Sequence, residues 1–204
     1  MSNEIADPAP LGLGGFALTT FVLSFYNAGI MPAEGAAIVA PLALFYGGLA
    51  QFMSGMWEFK TGNTFGATAF TSFGAWWMFY ALLEYSLFLG WLELGDAHLM
   101  SMGLVLTAWA IFTFYMWLAS FSLNKAVWLI FLTLWVTFAL LALGDFISPV
   151  FGHMGGYLGI ICASIAWYTS AAEVINATFD KEVLPIGSPV VDEQRVSGTP
   201  ADER

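Results

Sequence analysis

Six long apolar runs decide what this chain can fold into. They cover residues 11–31, 36–56, 65–89, 99–120, 126–143 and 149–172. A hydrocarbon core of about 30 Å is crossed by a helix of about 20 apolar residues, and each run is close to that length. Strands of a membrane barrel would be about ten residues long and would alternate apolar with polar. These runs are about twice that and apolar on every face. The breaks between them are short and polar: Pro32 and Glu34, then Glu58, Lys60 and Asn63, then Glu93, Asp96 and His98, then Asn124 and Lys125, then Asp145. The expected fold is an all-α integral membrane protein, a bundle of six transmembrane helices. Composition agrees, since only 10% of the 204 residues are charged, against about 25% in soluble domains.

The runs place a six-helix transmembrane domain at residues 1–183. Residues 184–204 are rich in Pro, Gly and Ser and carry Asp192, Glu193, Asp202 and Glu203, which predicts a mobile acidic tail. The N-terminus is acidic where a signal peptide would be basic, so it is expected to stay on the mature chain. The single Cys162 excludes an intrachain disulfide.

All five basic residues sort to one side. Lys60 falls between spans two and three, Lys125 between spans four and five, and Lys181, Arg195 and Arg204 after span six. The positive-inside rule then puts both termini in the cytoplasm, and the expected location is the cytoplasmic membrane. Moving any one span would scatter these charges across both sides.

Polar residues recur at helical spacing inside the spans. Phe16, Thr20, Ser24 and Asn27 form one stripe. Others are Gly47, Gln51, Ser54 and Glu58; Thr64, Thr68 and Ser72; Thr133 and Thr137; and Ser170 and Glu173. Steps of three and four place each set on one helix face. Such hydroxyls either glue helices together or line a pathway. Asn27 and Gln51 favour a pathway, because an amide has more hydrogen-bonding sites than a helix contact satisfies. Asn63 opens span three and lets a helix N-terminus, with its partial positive charge, face a small anion. Glu58, Glu173, His98 and His153 sit near span ends and are candidate proton or entrance groups. No Lys, Arg or His lies deep in a span. Neither a metal cluster, a nucleotide loop nor a nucleophile–base pair is evident, so no enzyme, cofactor, metal or nucleic-acid partner is expected. Membrane lipid is the expected surround.

Longer motifs narrow the reading. DPAPLGLGGFALTT at Asp7–Thr20, FYGGLAQ at Phe45–Gln51, GMWEFKTGNTFG at Gly55–Gly66 and AFTSFGAWW at Ala69–Trp77 occur in order. FALLALGD at Phe138–Asp145, AAEVIN at Ala171–Asn176 and VLPIG at Val183–Gly187 follow. The chain resembles the acetate uptake transporters, the succinate–acetate permease family. That resemblance implies six helices per protomer, a hexamer, and one pathway in each protomer. It implies acetate and related short carboxylates as substrates, carried as an anion channel or by proton symport. It maps the family's hydrophobic constriction onto Phe16, Phe73 and Leu134, with Phe73 in place of a Tyr. It maps size selection onto Leu134 and the stretch around Ser164, where familiar members have Ala. The expected pathway combines this neck with Thr20, Asn27, Gln51, Asn63, Thr68, Ser72 and Ser164. The rival readings are a channel for urea, ammonia or an amide, and a membrane sensor docking a partner on its acidic tail.

Overall fold

The computed structural model describes residues 5–191. Helix α1 spans Ala9–Asn27. Pro10 lies in its first turn, where a missing N–H removes no helical bond, and Asp7 Oδ1 accepts from Ala9 N at 2.9 Å. The second crossing is not one regular helix. A tight turn at Ala33–Ile38 leads into α2, Val39–Leu42. The winding then loosens to a π-helix over Ala43–Ala50 before α3, Gln51–Thr61. The loosening follows Pro41, which has no N–H to offer the ladder, and such wide turns re-aim the side chains around them. Gly62, at φ +78°, ends α3 in the left-handed conformation that glycine adopts without strain. Asn63 caps α4, Thr64–Phe88. Helix α5 covers His98–Ala119, α6 covers Lys125–Phe146 behind an Asn124 cap, and α7 covers Pro149–Phe179 behind Ser148.

Five stretches among the described residues are long and apolar enough to cross a membrane: α1, Ala33–Thr61, Gly95–Ser122, α6 and α7. Helix α4 has 25 residues, about 37 Å of helix, but its Thr, Ser, Gly and Trp residues make it less apolar. No strand occurs among the described residues. The observed ends differ from the expected ones chiefly in α7, which runs seven residues past residue 172. Glu173 and Asn176 therefore belong to a helix rather than to its exit.

Helix α7 packs against both α1 and α6, α6 against α5, and α3 with the π-helix against α4. The ring closes between α4 and α5 through aromatic side chains: Phe73 and Trp76 each lie within 5.5 Å of Trp109, centroid to centroid. Small residues set the close crossings. A Cβ on Gly74 would meet Phe52 N at 2.6 Å, and one on Gly144 would meet Gly152 Cα at 2.8 Å. In lipid, where no hydrophobic force drives helices together, such contact is a main source of cohesion.

The chain beyond α7 does not leave the bundle at residue 184. Asn176 Oδ1 accepts from Val183 N and Leu184 N at 2.7 and 2.9 Å, while its Nδ2 donates to Leu184 O at 2.9 Å. Tyr168 donates its hydroxyl to Pro185 O, Ala126 N donates to Ile186 O, and Val191 N donates to Phe121 O. Residues 184–191 thus form a strap tying α7 to the start of α6. The boundary expected after residue 183 came from composition, which does not register the one Asn that holds the strap. The remainder of the acidic tail, residues 192–204, lies outside the described residues.

Candidate functional site

Three helices carry the same layered arrangement. On α1, Leu13, Phe16 and Thr20 follow one another up one face; on α4, Phe70, Phe73 and Trp77; on α6, Phe131, Leu134 and Phe138. The middle member of each set is Phe16, Phe73 or Leu134, and each is at most 5% exposed. The lower members line a cavity of about 200 Å³ at the end of the bundle that holds both described termini. The upper members line a narrow chamber of about 40 Å³. That chamber shares Leu23, Asn27, Trp76 and Leu141 with a wider vestibule of about 360 Å³ at the opposite end. Two cavities are therefore separated by one apolar layer.

Phe73 is the hub of that layer. Its ring lies 5.9 Å from Phe16, 5.5 Å from Phe112, 6.1 Å from Phe131 and 6.4 Å from Phe138. Aromatic neighbours at these distances favour offset and edge contacts, which hold the ring without any hydroxyl.

The cavities differ in their polar groups. Above the layer, Thr20 Oγ1 is buried with no hydrogen-bond partner among the described residues. Asn27, half-buried, lines both the chamber and the upper vestibule. Asp145 and His153 also line that vestibule. His98 instead lines a small apolar pocket beside it. Below the layer, two helix N-termini meet the cavity: Asn63 Oδ1 accepts from Gly66 N at 3.0 Å, and Asn124 Oδ1 accepts from Val127 N at 2.9 Å. Asp7 and Glu173 line the same space. Helix N-termini favour negative charge, while Asp7 and Glu173 bring acidic groups to the same cavity.

Comparison with known proteins adds to this geometry. Residues 1–186 match the model of the GPR1/FUN34/yaaH family. The chain belongs to that family. It is 38% identical over 187 residues to the Escherichia coli succinate-acetate/proton symporter SatP, covering 91% of this chain and 97% of SatP. It is 39% identical over 180 residues to ammonia transport outward protein 2 of Saccharomyces cerevisiae, covering 84% of this chain and 62% of that one. Among solved structures it resembles the bacterial acetate channel SatP, with a TM-score of 0.84 and 38% identity over 90% of this chain and all of that one. The GPR1/FUN34/yaaH match ends at residue 186, inside the strap, so the bonded segment Val183–Ile186 falls within the family unit.

Of the residues singled out from sequence, this family fold brings together Phe16, Thr20, Asn27 and Leu134 around the chamber. Asn63 and Glu173 line the lower cavity. Gln51, 1% exposed, lines none of these spaces; its Cβ packs toward Gly15 of α1 and its Oε1 has no partner among the described residues. Thr68 and Ser72 are half-buried on α4 and line none of the cavities. Ser164 is exposed, donates to Ile160 O at 2.8 Å, and lines a lateral groove with Tyr168 and Pro185. Glu58 is 1% exposed; its Oε2 accepts from Thr61 Oγ1 at 3.0 Å and its Oε1 stands beside the Asn63 side-chain amide. Several hydroxyls act as glue: Ser54 and Ser170 donate to Pro8 O and Pro10 O, and Thr133 and Thr137 bond back within α6. The sequence reading left out the aromatic wall of Trp76, Trp109, Phe131 and Phe138 and the helix cap Asn124. The signal for the wall was present as aromatic residues in steps of three and four along α4 and α6.

Proposed function

We propose that this protein carries acetate and related short carboxylates across the cytoplasmic membrane, along a pathway through each protomer. The observation that carries this reading is the pair of cavities, each with a few polar groups, divided by Phe16, Phe73 and Leu134. A bare carboxylate is strongly disfavoured in hydrocarbon. Thr20 and Asn27 on one side, and the N-termini of α4 and α6 on the other, offer neutral donors up to the apolar layer. Binding to neutral dipoles stays weak enough for a solute to leave quickly. The names of the relatives, a succinate-acetate symporter and an acetate channel, support the same substrate class. The sorting of the basic residues to one side supports cytoplasmic termini, and the many exposed apolar side chains suit burial in lipid and in a hexamer.

The test is uptake of labelled acetate into proteoliposomes. Saturable uptake, inhibited by other short monocarboxylates and not by urea, is the expected outcome. Uptake no faster than into empty liposomes would sink the proposal. The second reading, ammonia release, rests on the yeast relative's name. It predicts flux of ammonia or methylamine unaffected by acetate, which the same vesicles measure.

A further inference from the structure

The lower cavity sets a buried, unpartnered carboxyl oxygen beside the space proposed for a permeating carboxylate. Glu173, on α7, lines this cavity of about 200 Å³ together with the helix caps Asn63 and Asn124. Its Oε2 is buried and has no hydrogen-bond partner among the described residues. Directly behind the wall stands Glu58: a Cβ on Gly66, which lines the cavity, would meet Glu58 Cδ at 2.8 Å. Glu58 is 1% exposed, and its Oε1 stands on Gly66 beside the Asn63 side-chain amide. Asp7, ahead of α1, lines the same cavity and completes the set.

No cation among the described residues answers these three carboxyl groups. Lys60, on the same helix as Glu58, is exposed. Lys125, beside Asn124, lies along Gly187 and lines the lateral groove. Helix α4 and the turn before it contribute Asn63 and no titratable group to the cavity. The three groups do not converge as ligands of one metal ion. Glu173 Oε2, orphaned among the described residues beside two further carboxyl groups, lacks a hydrogen, and a proton held by the set supplies one.

Resting on the proposed carboxylate transport, we propose that Glu173 is the group that exchanges a proton with the permeating acid, and that Glu58 positions that proton on it. Acetate reaching the lower cavity is held by the N-termini of α4 and α6. The Glu173 carboxyl passes its proton to an acetate oxygen: one O–H bond breaks, one forms, and no electron changes hands. Neutral acetic acid then fits the apolar layer of Phe16, Phe73 and Leu134. Glu173 recovers a proton from hydronium in the adjoining solution, which leaves water behind, and in the reverse direction its carboxylate takes the proton from arriving acid. The device turns the abundant anion into the scarce neutral form at the layer only the neutral form passes.

The experiment is exchange of labelled acetate in proteoliposomes of the full chain, with equal pH on both sides, from pH 5.5 to 7.5. Bulk acetic acid falls about tenfold per pH unit in this range. Wild type should fall less than about threefold between pH 5.5 and 6.5, because Glu173 supplies the proton. Glu173→Gln should lose that plateau and follow the tenfold fall, and Glu173→Asp should restore it. Glu58→Gln should shift the plateau's edge to lower pH, and this decides the matter if Glu173→Gln does not fold. Equal slopes in wild type and both Gln variants would overturn the inference while leaving acetate transport intact. Absence of acetate exchange by wild type would instead overturn the proposed function.

Discussion

The rings of Phe16 and Phe73 sit 5.9 Å apart between centroids and tilt 56° to one another, closing α1 against α4 midway between two cavities. Nothing polar bridges them, so the barrier to a charged solute is desolvation rather than a bonded gate. With Leu134 on α6 completing the layer, its width depends on three side chains from three helices.

Leu134 is the one aliphatic member of the three, and it is 3% exposed. Leu134→Ala should widen the layer and admit lactate while keeping acetate flux. Competition of lactate against labelled acetate measures it. Unchanged selectivity in a folded variant would remove Leu134 from the layer.

Thr20 separates a transport role from a structural one. Its hydroxyl has no partner among the described residues, so the near-isosteric Thr20→Val removes no hydrogen bond among them. Thermal stability should change by less than about 0.5 kcal/mol. Acetate flux should fall about tenfold, the equivalent of about 1.4 kcal/mol in the barrier. A stable variant with full flux would show that the hydroxyl does not meet the solute.

Helices α3 and α4 cross at Gly55, where a Cβ would run into Thr71 N and Oγ1. Backbone cannot move aside as a long side chain can. Gly55→Ala should therefore destabilise the protein by about 1–3 kcal/mol, read as a lowered midpoint of thermal unfolding in detergent.

Asn176 holds the strap with three hydrogen bonds. At about 1 kcal/mol for each bond, Asn176→Ala should weaken the strap by about 2–3 kcal/mol. Amide hydrogen exchange should rise at Val183, Leu184 and Val191 and stay unchanged in the middle of α1.

Ending the chain after Val191 keeps every strap contact described here. Acetate flux should be unaffected, as expected of a transporter. Loss of flux in a folded truncation would favour the sensor reading, in which the acidic tail docks a partner.

The sequence by itself determined the membrane class, the spans and the family. Apolar length is a local property, and the 29-residue stretch from Ala33 to Thr61 holds an apolar run of spanning length whether or not it winds evenly. It also marked Phe16, Thr20 and Asn27, because steps of three and four read directly as one helix face. It did not separate Thr20, whose hydroxyl is free, from Thr137, whose hydroxyl bonds Thr133 O. Nor did it show that Thr68 and Ser72 line no cavity while Trp76 and Phe138 line the chamber. Which face of a helix turns inward depends on its neighbours, and in an all-apolar bundle the face toward lipid and the face toward protein share a composition. Only the tertiary structure decided that Leu13, Phe16 and Thr20 stand level with Phe70, Phe73 and Trp77, because register between helices is set by close contacts such as Gly74 on Phe52 and Gly144 on Gly152, each between residues more than five positions apart in the chain.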